Sequence, residues 1–202
     1  WQRTDHPVRR AFADDRWEHW AWRPRSHARP PIVQNASWAQ NPIDQFLLAD
    51  WESKGLSPAA DLDRRKWLRR LSFDLIGLPP TPEEMDEFLR DTSEQAFSKQ
   101  IERLLDHPGY GQHWARMWLD TVRYSDSNGF DWDEFRPQAW RYRDYVIAAF
   151  QTDKPYDQFV REQLAGDEMF EGPPRTFEQQ QALIATGYLR MGPHDNAAGL
   201  FN

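Results

Sequence analysis

Between Arg123 and Val146 the chain reads RYSDSNGFDWDEFRPQAWRYRDYV, oxygen donors first and then cationic and aromatic groups. Asp126, Asn128, Asp131, Asp133 and Glu134 fall within nine residues around an Asn128-Gly129 pair. That dipeptide adopts positive φ readily, so a tight, oxygen-rich loop is expected. Calcium takes several oxygen ligands from such loops, which makes Asp126, Asn128, Asp131 and Asp133 the candidate metal ligands. The spacing is not that of an EF-hand: Gly129 stands fourth from Asp126, and no bidentate Glu occupies the twelfth position. Arg136, Arg141 and Arg143 follow, interleaved with Trp132, Phe135, Trp140, Tyr142 and Tyr145. A guanidinium can pair with a carboxylate and stack on a ring at once, so the segment reads as a self-satisfied turn or as a recognition surface. The residues favour the turn, held by Arg123, Arg136, Arg141 or Arg143, with metal at most an addition.

Familiar catalytic frameworks are missing. No Gly-rich phosphate loop, nucleophile elbow or His-Glu-x-x-His arrangement occurs. Asp120, Asp126, Asp131, Asp144, Asp157 and Asp167 leave room for paired acid-base chemistry of the glycosidase kind, but no pair has a spacing that demands it. His107 and His113 flank Pro108, Gly109 and Gly111, and His19 lies in a Trp cluster. Each could ligate a metal or haem iron, although an isolated His is more often a satisfied structural side chain. Without any Cys, the chain forms no disulfide, thiolate zinc site or iron-sulfur cluster and has no Cys nucleophile.

The 202 residues carry a net charge of -7, which argues against a nucleic-acid groove. Hydrophobic residues make up 39% of the chain against a mean hydropathy of -0.90, a globular domain with a very polar remainder. Eleven Trp suggest a core built from large rings, with an exposed aromatic platform for a sugar, pigment or protein as the sharper alternative. The longest apolar run of the central region, Tyr145 to Phe150, falls far short of the roughly 20 residues a bilayer requires. Trp1 is not an initiator Met, so a processed product or a fragment of a longer protein is expected.

Two domains are expected, an extended arm over 1–40 and a helical domain over 41–202. The arm carries Pro7, Pro24, Pro30 and Pro31, the cluster Trp17, Trp20 and Trp22, and seven Arg against three Asp and one Glu. Trp17, Trp20, Trp22, Arg23 and Arg25 are its candidate partner-binding residues, since Trp and Arg dominate interface energetics. From Asn41 the pattern turns helical. Asn41 caps, Pro42 fits the first position, and Ile43, Phe46, Leu47 and Trp51 share a face until Gly55. Further helices are expected from about Leu62 to Ile76, after the capping box Thr81/Glu84, through Ala96–Leu105, around Trp114–Thr121, and near Gln138–Gln151, Tyr156–Ala165 and Phe177–Arg190. Trp114, Trp118, Leu71, Leu75, Ile101 and Leu105 are the expected core. No segment alternates with period two, so the fold class is all-α, an irregular multi-helix bundle with a Pro-, Trp- and Arg-rich arm.

Asn41–Leu89, Tyr110–Phe130, Asp153–Met169 (DKPYDQFVREQLAGDEM) and Ala185–Pro193, with the opening stretch, also carry a resemblance. In the same order and without large gaps, from about Trp20 to Pro193, the chain resembles the domain of unknown function that accompanies planctomycete-type cytochrome c domains. The resemblance implies an exported, extracytoplasmic setting in periplasm or at the cell surface, with haem c only in neighbouring domains or partners. Many members carry a Cys-x-x-Cys-His sequence after the matched region, and this chain has no Cys. The expectation is a non-catalytic scaffold or docking module of an electron-transfer protein or membrane complex, bound to a protein such as a cytochrome. A carbohydrate-active or other hydrolytic domain with its site around Arg123–Arg143 is the alternative.

Overall fold

The computed structural model describes residues 19–25, 27–129 and 133–192. Among them the chain is all-α: eight α-helices, short 3-10 turns and no strand, with one isolated antiparallel bridge between Ser127 and Phe135. Two compact units divide the chain, Trp1–Asp61 and Leu62–Asn202.

In the first unit, helix α1 (Pro42–Ser53) starts at a capping box. The Asn41 side chain accepts from the Asp44 amide, and the Asp44 carboxylate accepts in return from the Asn41 amide. It ends at Gly55, whose φ of 68° suits the left-handed residue that closes a helix. The Glu52 carboxylate accepts the amides of Gln34 and Asn35 at 3.0 to 3.1 Å, which fastens the preceding loop to α1. Trp38 packs on Trp51 with ring centroids 5.4 Å apart. Only Val33 and Leu48 are buried hydrophobics among the described residues of this unit. The apolar set read from the sequence lies elsewhere on α1. Ile43 is 71% exposed, and Phe46 and Leu47 are 45% exposed.

The second unit begins with α2 (Arg64–Ile76), capped by Asp63 and closed by Gly77 at φ 73°. Helix α3 (Pro82–Arg90) opens on the expected capping box, Thr81 with Glu84. Arg64 crosses from α2 to the end of α3, donating to the carbonyls of Phe88 and Asp91 while its guanidinium lies 4.1 Å from the Phe88 ring centroid. With α4 (Ala96–Leu105), these helices enclose Leu68, Phe88, Ala96 and Leu104. Leu104 is buried where Leu105 was expected. Ala96, Gln100 and Leu104 follow a four-residue stripe, which leaves Leu105 at the rim, 36% exposed.

A second core forms where α5 (Pro108–Thr121), α6 (Ala139–Gln151), α7 (Tyr156–Ala165) and α8 (Phe177–Ala185) pack together, around Tyr142, Tyr145, Val146 and Phe159. Gly111 lets α5 approach α6, since a Cβ there would meet the Ile147 carbonyl oxygen at 2.7 Å. The segment expected to be one helix to Arg190 is α-helical to Ala185 and then a 3-10 turn, Thr186–Arg190, in which Gly187 lies against the Tyr142 side chain. No described Trp is fully buried; the large rings that fill the cores are Phe88, Tyr142, Tyr145 and Phe159. The Trp118 indole N–H finds polar partners in Tyr142 and Gln163, whereas the Trp114 indole N–H is buried without a hydrogen-bond partner among the described residues.

Candidate functional site

The acidic turn follows α5. Helix α5 ends with Arg123 at φ 58°, and the Arg123 and Tyr124 amides return to the carbonyls of Asp120 and Leu119. The chain reverses there and presents Asp126 and its neighbours. The Asp126 carboxylate accepts from the Tyr124 hydroxyl at 2.6 Å, and burial together with this bond pushes the phenol pKa up. Asn128 Oδ1 accepts from Arg136 Nε at 2.6 Å. Asp133 Oδ1 accepts from the Gly129 amide at 2.8 Å, and bonds from Ser127 and Gly129 hold its carboxyl below the usual range. Backbone bonds from Asn128 to Glu134 and from Arg136 to Asp126 complete the turn.

Of the four Arg expected to hold this loop, Arg136 binds it directly. Its remaining nitrogens donate to the carbonyls of Met191, at 3.4 Å, and Gly192, at 2.9 Å, tying the turn to the end of the described chain. Arg141 donates to Gln138 and Arg143 pairs with Asp144. Asp126, Asn128 and Asp133 are thus brought into one turn, each with an oxygen accepting from a different donor; Asp131 lies outside the described residues. No three His, Asp or Glu side chains converge as a metal set among the described residues.

The histidines act locally. His107 Nδ1 accepts from the Gly109 amide at 2.9 Å and caps α5, His113 packs against Gly77, and His19 Nδ1 accepts from Ala21 at the 3-10 turn Trp20–Trp22. In that turn Trp20 is 77% exposed, Arg23 forms the C-terminal cap, and Arg25 is exposed. Trp17 lies outside the described residues.

Sequence reasoning missed a buried polar ladder between α6 and α7. Glu162 is buried. Its Oε2 accepts from Lys154 Nζ at 2.5 Å and from the Tyr145 hydroxyl at 2.7 Å, and its Oε1 accepts from Gln158 at 2.7 Å. Burial pushes the Glu162 carboxyl up, but Lys154, Tyr145 and Gln158 together outweigh it and hold the pKa low. At the next position, Gln163 Oε1 accepts from Tyr142 at 2.5 Å and from the Trp118 indole at 3.1 Å. Burial raises the Tyr142 phenol to about 12. Lys154 also borders a cavity of about 410 Å³ walled by Tyr110, Phe150, Tyr156 and Phe159. The ladder's trace in the sequence is Gln158, Glu162 and Gln163 on the same side of a helix as Phe159, polar groups where an apolar stripe would ordinarily continue.

A family model for proteins of unknown function, DUF1549, matches residues 42–201, which include all of α1 through α8. The chain belongs to the PSCyt2 family. This agrees with the resemblance read from Asn41–Leu89 and the later segments, while a cytochrome association is implied by the family's name alone. No curated protein and no solved structure matches the chain. The PSCyt2 match contains the acidic turn and the ladder, whereas Trp17, Trp20, Trp22, Arg23 and Arg25 precede it. Among the described residues no helix is long and apolar enough to cross a membrane.

Proposed function

We propose that this chain is a non-catalytic docking module whose N-terminal unit binds an acidic protein partner within an extracytoplasmic, cytochrome-associated protein or membrane complex. The observation that carries the reading is the surface of that unit. Trp20, Ile43, Phe46, Leu47 and Leu56 are exposed, while only Val33 and Leu48 are buried among its described residues. A unit this small ordinarily needs a further surface to complete its core. Between His19 and Ile43 the sequence holds Arg23, Arg25 and Arg29 and no Asp or Glu, so the stretch leading into α1 is basic and suits an acidic partner. Haem c, where the assembly carries it, belongs to neighbouring domains or partners, because this chain offers no Cys for thioether links.

The hydrolase alternative requires carboxylates free to act on a substrate. Asp126, Asp133 and Asp144 are instead held by Tyr124, Gly129 and Arg143, which supports a structural role for the Arg123–Arg143 segment. Isolation of the native protein under mild conditions tests the proposal. A copurifying protein that is lost when residues 1–40 are deleted, while the helical unit still melts cooperatively, is the expected outcome. Turnover of a polysaccharide by the purified chain, abolished in Asp126→Asn, would replace docking with hydrolysis.

A further inference from the structure

A cleft of about 510 Å³ opens in the second unit between the start of α6 and the segment Leu183–Met191. We propose that it binds an acidic, partly apolar peptide segment through carboxylate–Arg pairing. Arg136, Arg141 and Arg190 line the cleft, and no Asp or Glu does among the described residues. None of the three pairs with a carboxylate among the described residues. Arg136 donates to neutral oxygens of Asn128, Met191 and Gly192, Arg141 donates to the Gln138 amide oxygen at 2.6 Å, and the Arg190 guanidinium has no hydrogen bond or ion pair among the described residues. Neutral acceptors orient a guanidinium without cancelling its charge, so three cations gather in one concavity of a protein whose net charge is -7. The start of α6 adds to the same field, because Gln138 provides no side-chain cap for its first turn.

The walls argue for a peptide over a small inorganic anion. Phe135 is 72% exposed and Leu183 40% exposed beside the arginines, with Ile184 and Met191 continuing the apolar lining. A single oxyanion would leave that surface and most of the volume unused; alternating acidic and apolar side chains would satisfy both. The base is set by Gly187 against Tyr142, where an added Cβ would come within 3.3 Å of the Tyr142 Cβ. This cleft belongs to a different unit from the proposed docking face, and neither inference depends on the other.

Titration of the full chain with a fluorescent peptide of alternating Glu and Leu, followed by anisotropy, tests the assignment. The peptide is expected to bind, with affinity falling about tenfold or more in Arg141→Gln/Arg190→Gln and weakening as salt rises. Binding should persist in Arg65→Gln/Arg69→Gln on α2 and be absent for the Gln counterpart of the peptide. No binding of the Glu peptide, equal binding by the Arg141/Arg190 double variant, or displacement by equimolar inorganic phosphate would each overturn the proposal, the last by making the cleft a small-anion site.

Discussion

Glu162 brings a carboxylate into the interior with three donors around it, and the arrangement makes two demands at the scale of single residues. Removing Lys154 would strand a buried charge, so Lys154→Met should cost about 3–5 kcal/mol in urea unfolding, whereas Lys154→Met/Glu162→Leu should recover most of the loss. The sign of the pH dependence follows from the lowered Glu162 pKa. Its contribution is complete above the ordinary value of 4.5 and is lost as the pH falls through the folded-state value, so the stability difference between wild type and Glu162→Gln should shrink on acidification below about 4.5. The acidic turn gives a third expectation. Because Asp126, Asn128 and Asp133 already have donors, added Ca²⁺ should leave the melting temperature unchanged; a rise that disappears in Asp126→Ala would assign the loop to the ion. At this scale the sequence was partly readable. The oxygen-rich turn and its Arg clamp follow from residue types, but which Arg closes it depends on Met191 and Gly192, more than fifty residues away in the chain. The ladder escaped because a Glu and two Gln on a helix read as solvent-facing until the partner helix is known.

Elements were legible wherever their ends are written in local chemistry. Asn41-Pro42, Thr81 with Glu84, Gly55 and Gly77 each mark a boundary that the structure places as the residues suggest. The ends of α5 and α6 carry no such mark, because Arg123 and Asp153 occupy the left-handed region at φ 58° and 50°, where Gly would be expected. Replacing Arg123 with Gly should therefore raise stability by about 1 kcal/mol, measured by thermal melting. Gly166 makes the opposite demand. A Cβ there would run into the Ala182 backbone on α8, so Gly166→Ala should destabilise by about 1–3 kcal/mol. The break of the last helix at Ala185 was hidden for a related reason: Phe177–Arg190 has helical periodicity throughout, and the tightening to a 3-10 turn accompanies the close approach of Gly187 to Tyr142. Leu104 and Leu105 differ by one position on α4, and only the packing of α2 and α3 decides which is inside.

For the molecule as a whole, the second unit holds two hydrophobic cores and the first unit holds almost none among its described residues. The helical pattern around Ile43, Phe46 and Leu47 was readable from the sequence; their exposure was not, because periodicity identifies an apolar face without naming what covers it. The proposed cover is an acidic protein. Titrating the isolated partner with wild-type chain and with Trp20→Ala/Ile43→Ser/Phe46→Ser tests this most directly. The triple variant removes exposed side chains, so it should keep the wild-type melting temperature and bind at least about tenfold more weakly. Undiminished affinity in that variant would contradict the docking role of the N-terminal unit.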